Sequence, residues 1–138
     1  MREDGKDFDI DVTNLYERVG GTAFFLELVD RFYVYVENEP LIRHLYPEDL
    51  DPGKKHLAYF LAQYWGGPPQ YSDERGHPRL RNRHMRFSIG KRERDAWVGH
   101  MTNATKSMEI TSEDTKSLIE YFENTANLLM NQDASNGS

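Results

Sequence analysis

Two paired glycines, Gly20-Gly21 and Gly66-Gly67, the second followed at once by Pro68-Pro69, punctuate the first half of the chain. A glycine inside a helix costs about 1 kcal/mol relative to alanine and a proline about 3, so each cluster ends whatever helix precedes it. Between them the apolar residues keep helical time. Phe25, Leu28, Val29, Phe32 and Val36 fall on one stripe of a helix over 22–37, with Thr22 placed to cap it and Tyr33 on the flank of the stripe. Asn38-Glu39-Pro40 stops that helix, and a short helical turn is expected over 40–44. Asp51-Pro52 then opens another, because the carboxylate accepts orphan amides and the proline presets the first helical φ. Its core side is expected to carry Leu57, Phe60, Leu61 and Tyr64.

The same period returns beyond residue 90. Trp97, Met101, Ala104 and Met108 predict a helix over 92–108; Leu118, Ile119, Phe122, Ala126 and Leu129 predict a last one from Thr111 or Ser112 to Met130. Asn14 and Glu17 read as a capping box for a short first helix. No segment alternates as a strand hairpin does. The expectation is an all-α fold with four substantial helices and an irregular stretch over 70–90 holding one or two helical turns. A loop of that length in a compact domain is usually functional or organised by a ligand.

At 138 residues the chain fits one domain, expected over 13–131, between disordered tails at 1–12, which is acidic, and 132–138. No apolar run approaches the roughly 20 residues of a membrane span, and none near the N-terminus suits a secretory signal, so a soluble cytoplasmic protein is expected. The absence of cysteine excludes disulfides, thiolate nucleophiles, iron–sulfur ligation and Cys-linked haem. Metal chemistry is left to His, Asp, Glu or Tyr.

Charge is unevenly spread. Residues 75–94 hold seven arginines and one lysine against one glutamate, a local +7 in a chain whose net charge is −6. Such a cluster is a solvated, salt-bridged surface, an anion site or a nucleic-acid patch. The overall charge opposes a polyanion, and no nucleic-acid partner is expected. Phosphate-loop, dinucleotide, nucleophile-elbow and His-Glu-x-x-His motifs are absent, and no two of His44, His56, His77, His84 and His100 stand three or four residues apart. A lone histidine is by default a surface or satisfied core residue, so the residues alone give His84 no special role.

Taken in order, Val19-Gly20-Gly21, Arg31-Phe32-Tyr33, Tyr46-Pro47-Glu48-Asp49, Gln63-Tyr64-Trp65-Gly66-Gly67-Pro68, Arg75-Gly76-His77-Pro78-Arg79-Leu80-Arg81-Asn82-Arg83-His84 and Arg94-Asp95-Ala96-Trp97 resemble the group II, or O-type, truncated haemoglobins. The resemblance runs over roughly residues 14–130. It implies a two-over-two helical sandwich enclosing haem b, with the glycine clusters as chain-reversal points. It further implies that His84 is the proximal iron ligand through Nε2, that Arg83 meets a haem propionate with Tyr71 as a further hydroxyl donor, and that Leu57, Phe60, Phe87, Trp97 and Met101 line the haem. One imidazole, an apolar cage and cations for two carboxylates are what noncovalent haem needs.

On the distal side the resemblance implies three donors, Tyr33, Tyr46 and Trp97, at a five-coordinate iron, with Gly53 where many globins carry a histidine and Leu57 one turn beyond. The expected ligands are O₂, CO and NO, held tightly, which suits sensing, redox or detoxification chemistry better than bulk oxygen transport. An NO dioxygenase or peroxidase-like enzyme is the alternative; it requires peroxide or a reductase as partner, because the chain has no flavin or nicotinamide motif. Sequence leaves monomer and homo-oligomer equally open.

Overall fold

The computed structural model describes residues 12–76 and 89–130, with side chains from Leu15 onward. Its helices, in chain order, are α1 (Val12–Val19), α2 (Thr22–Glu37), α3 (Pro40–Arg43), α4 (Asp51–Tyr64), α5 (Gln70–Arg75), α6 (Lys91–Lys106) and α7 (Ser112–Leu129). Among the described residues there is no strand, and no helix is long and apolar enough to cross a membrane. The chain divides into two compact units, one of residues 12–29 and 51–76, the other of 30–50 and 89–130.

In the first unit both glycine pairs close their helices in the same way. The Gly20 amide donates to the Glu17 carbonyl at 3.3 Å and the Gly21 amide to Tyr16 at 2.8 Å; the Gly66 amide donates to Gln63 at 3.2 Å and the Gly67 amide to Ala62 at 2.8 Å. This is the Schellman arrangement, which needs a left-handed residue just past the helix, and Gly20 and Gly66 supply it with φ of 113° and 111°. Tyr16 ties the two ends together. Its amide donates to the Trp65 carbonyl at 3.0 Å, and its hydroxyl lies 2.7 Å from Thr22 Oγ1. The core of this unit takes Leu15, Phe24, Phe25, Leu28, Val29, Ala58, Leu61, Ala62 and Trp65. Helix α5 packs on α4, where Gln63 accepts from the Ser72 amide at 2.9 Å and donates to its hydroxyl at 2.7 Å.

In the second unit α6 packs on α7 and α3 on α6. The buried side chains include Phe32, Tyr33 and Val36 of α2, Ile42 of α3, Val98, Met101, Ala104 and Thr105 of α6, and Leu118, Phe122 and Ala126 of α7. Local capping fixes the helix starts. Glu39 accepts from the Leu41 amide at 3.2 Å, Glu93 from the Gly90 amide at 2.9 Å, and Thr111 Oγ1 from the Asp114 amide at 3.1 Å.

Three local expectations need correction. Helix α1 begins at Val12, so Asn14 lies inside it rather than capping it; Val12 and Thr13 do not break a helix, and it extends past the capping signal. Thr22 is the first residue of α2 and spends its hydroxyl on Tyr16 instead of an amide of its own helix. In α4 the buried set is Ala58, Leu61 and Ala62, followed by Trp65, one residue out of phase with the expected 57, 60, 61, 64; Tyr64 is 47% exposed. The alanines let the helix approach the core closely, and the larger indole takes the place assigned to the phenol.

Candidate functional site

The second unit gathers aromatic side chains from four segments. Helix α2 supplies Phe32 and Tyr33, the corner after α3 supplies Tyr46, α6 supplies Trp97, and α7 supplies Phe122. The Phe32 ring meets Tyr33 edge-on with centroids 5.5 Å apart and Trp97 at 5.5 Å; Tyr33 meets Tyr46 at 5.6 Å, and Trp97 meets Phe122 at 5.9 Å. Edge-to-face contacts of this kind fix ring orientation as well as burying area. Tyr33, Tyr46 and Trp97, far apart in sequence, are thus neighbours in one cluster, with Met101 one turn beyond Trp97 and fully buried.

The polar chemistry of the cluster is specific. The Trp97 indole stands close enough to the Tyr46 phenol to act on it as a donor, which favours the ionised form. An indole N–H only donates, so toward Trp97 the Tyr46 oxygen can act only as acceptor. Burial pushes the Tyr33 phenol up to about 12. Tyr46 is raised as well, first by burial and then by the neighbouring Tyr33, with the Trp97 bond acting in the opposite sense. The Tyr46 side chain keeps some exposed surface while its phenol oxygen is desolvated, and the ionisation follows the oxygen. Both phenols therefore remain protonated donors throughout the neutral range.

The other expected site residues fall differently. In the first unit Tyr71 is buried and meets the half-buried Phe60 edge-on at 5.5 Å; Leu57 is also half-buried, one helical turn before Leu61 on the flank of the buried stripe. The Arg75 guanidinium lies 6.0 Å from the Tyr71 ring, with an Nη1 3.4 Å from His56 Nε2. His84, Arg83 and Phe87 lie outside the described residues. Among the described residues no group of three or more His, Asp or Glu could hold a metal ion. His100, whose Nε2 is 2.6 Å from Glu39 Oε1, stacks on Tyr35 with ring centroids 5.0 Å apart.

Two features were not legible in the sequence. Phe32 scored only as one more core residue of the α2 stripe, yet it is the ring touching both Tyr33 and Trp97. The His100–Glu39 pair joins residues 61 apart, and no local pattern announces it.

Residues 14–131 match the family model described as bacterial-like globin. The chain is 38% identical over 117 residues to the group 2 truncated haemoglobin of Bacillus subtilis (strain 168), covering 85% of this chain and 88% of that protein. Among solved structures it resembles the haemoglobin of the thermophilic phototrophic bacterium Chloroflexus aurantiacus, with a TM-score of 0.83 and 49% identity over 86% of this chain and 98% of that one. It also resembles the truncated oxygen-avid haemoglobin of Bacillus subtilis, with a TM-score of 0.80 and 38% identity over 85% of this chain and 98% of that one. Family, relatives and fold agree: the chain belongs to the bacterial-like globins and, within them, to the group 2 truncated haemoglobins, with their all-α two-over-two fold, and that membership implies a haem cofactor and a diatomic-gas ligand.

Proposed function

We propose that this chain is a cytoplasmic haem b protein that binds O₂, and also CO and NO, tightly and releases them slowly. His84 is assigned as the proximal ligand at a five-coordinate iron, Arg83 as a propionate partner with Tyr71 as a second donor, and Leu57, Phe60, Phe87, Trp97 and Met101 as apolar contacts. Haem, when bound, supplies the open iron position that takes a diatomic gas and shifts electron density onto it.

The observation that carries this reading is the cluster of Tyr33, Tyr46 and Trp97, with both phenols held neutral by burial. Two phenols held neutral by burial suit a partly anionic ligand, because each has a hydroxyl proton and neither competes as a phenolate. Trp97, a donor only, acts on the Tyr46 phenol and cannot take its proton, which leaves the phenol in the donor role. The chemistry of the remaining residues also fits the cofactor: with no cysteine the attachment is noncovalent, and Leu57 and Phe60 offer half-buried apolar surface beside Tyr71. A relative of the same fold is named as oxygen-avid, in keeping with such a site.

A hydrogen bond to a charged group contributes about 1.5–3 kcal/mol, and each 1.4 kcal/mol is about tenfold in a dissociation constant. One phenol thus accounts for roughly ten- to a hundredfold in release rate. Stopped-flow measurement of O₂ dissociation from the ferrous protein, wild type beside Tyr33→Phe and Tyr46→Phe, tests the assignment. Acceleration of that order in at least one variant supports it, and two unchanged rates would remove the phenols from ligand binding.

A further inference from the structure

We propose that Arg43 is a positioning residue for Tyr46: its guanidinium fixes the corner from which that phenol projects, and so sets the hydrogen bond offered to a bound gas. The inference rests on the reading of Tyr46 as a ligand donor given above.

Between the end of α3 at Arg43 and the start of α4 at Asp51, residues 44–50 belong to no helix. The amides of Leu45 and Tyr46 still donate backwards, to Ile42 at 2.9 Å and to Arg43 at 3.1 Å, but Pro47 has no amide to continue the pattern. A single side chain takes over there. Arg43 Nη1 donates to the Tyr46 carbonyl at 3.3 Å and to the Pro47 carbonyl at 3.1 Å, and Nη2 donates to the Glu48 carbonyl at 3.2 Å. Three successive carbonyls are referred to one rigid plane of donors, a role for which lysine, a single point charge on a flexible stem, is no substitute.

The guanidinium itself springs from a fixed base. Arg43 closes α3, α3 packs on α6, and at the other end of α3 Glu39 accepts from the Leu41 amide while pairing with His100 of α6 at 2.6 Å. Trp97, which acts on the Tyr46 phenol, also stands on α6. The corner that carries Tyr46 is therefore referred, through Arg43, to the helix that also carries Trp97. Loss of the backbone hold leaves a long side chain pivoting on an irregular corner, and hydrogen-bond strength falls steeply with angle.

The test is the infrared C–O stretching band of the ferrous CO-bound protein, recorded with the O₂ dissociation rate, for Arg43→Ala, Arg43→Lys, Tyr46→Phe and the Arg43→Ala/Tyr46→Phe double variant. A lost donor moves the band to higher frequency. Arg43→Ala is expected to broaden or split the band toward the Tyr46→Phe position and to speed O₂ release roughly five- to tenfold. Arg43→Lys, which retains the charge and the fold, should lie between, and the double variant should match Tyr46→Phe alone. Arg31→Ala is the control. It also removes a guanidinium that joins distant segments, donating to the Ser107 carbonyl at 2.8 Å and hydroxyl at 3.0 Å, and should leave the band in place. A moved band in Tyr46→Phe with an unmoved one in Arg43→Ala and Arg43→Lys overturns the role of Arg43 while sparing that of Tyr46. An unmoved band and rate in Tyr46→Phe overturns both.

Discussion

The rings of Tyr33 and Tyr46 meet edge-on, 5.6 Å between centroids and 69° between planes, although one belongs to a long helix and the other to an irregular corner. Burial keeps both phenols protonated, and Tyr33 adds to that effect at Tyr46, where a second phenolate would be repelled in a desolvated site.

The donor character of this pair has a pH signature. Burial raises Tyr33 from its ordinary 10.0 to about 12. Below 10 the phenol is neutral in both folded and unfolded chains and the folded state suffers no loss; between 10 and 12 only the unfolded chain ionises, so stability falls as pH rises through that window. Ultraviolet titration of tyrosinate should show two late-ionising phenols, one of which is lost in Tyr33→Phe, and O₂ dissociation should be flat from about pH 6 to 9. A release rate that climbs with pH across the neutral range would contradict the assignment.

Trp97 acts on Tyr46 through its indole N–H. Trp97→Phe keeps a ring against Phe32 and Phe122 but frees the phenol to turn, and O₂ dissociation is expected to accelerate about tenfold or more. Stopped-flow release is the check, and an unchanged rate would leave Trp97 a packing residue only.

Gly67 tests the helix ends. A Cβ there would stand 2.5 and 2.7 Å from ring carbons of Tyr16 and 2.8 Å from the Ala62 carbonyl, so Gly67→Ala should destabilise by about 1–3 kcal/mol, as overpacking does. Gly76→Ala, at φ 77° with no neighbour within reach, should cost only the left-handed backbone penalty of about 1–2 kcal/mol. Denaturant midpoints of the two variants beside wild type read this; a Gly67→Ala midpoint equal to that of wild type would mean that the Tyr16 ring and the Ala62 carbonyl yield without cost.

The Glu39 carboxyl is held below its ordinary 4.5, first by the His100 hydrogen bond and then by the Leu41 amide. A depressed carboxylate stabilises the fold above its unfolded value and loses that contribution as pH falls. Glu39→Gln should therefore be less stable than wild type at neutral pH, with the difference closing below about pH 4.5. Urea midpoints at both pH values read this, and a difference that persists unchanged in acid would assign the loss to something other than the ionised carboxylate.

What the sequence made legible follows a physical division. The α2 stripe came through because period and burial coincide, with Phe25, Leu28, Phe32 and Val36 all wholly enclosed, and the glycine pairs came through because their backbone geometry admits few other residues. The phase of α4 did not, since alanine at 58 and 62 carries little hydrophobic signal yet decides which face approaches the core. Tyr33, Tyr46 and Trp97 could be named only through family resemblance; nothing in their spacing brings them together, and the contacts that do so are tertiary. Arg43 was invisible for the opposite reason, because its partners are carbonyls, which every residue possesses.

The account turns on His84 anchoring haem, and the most direct measurement is the absorption spectrum of the purified protein, reduced and then exposed to CO, beside that of His84→Ala. The expected result is a Soret band that sharpens with CO in the wild type and is lost or strongly altered in the variant. A colourless protein that also fails to take up added haemin would contradict the account at its centre.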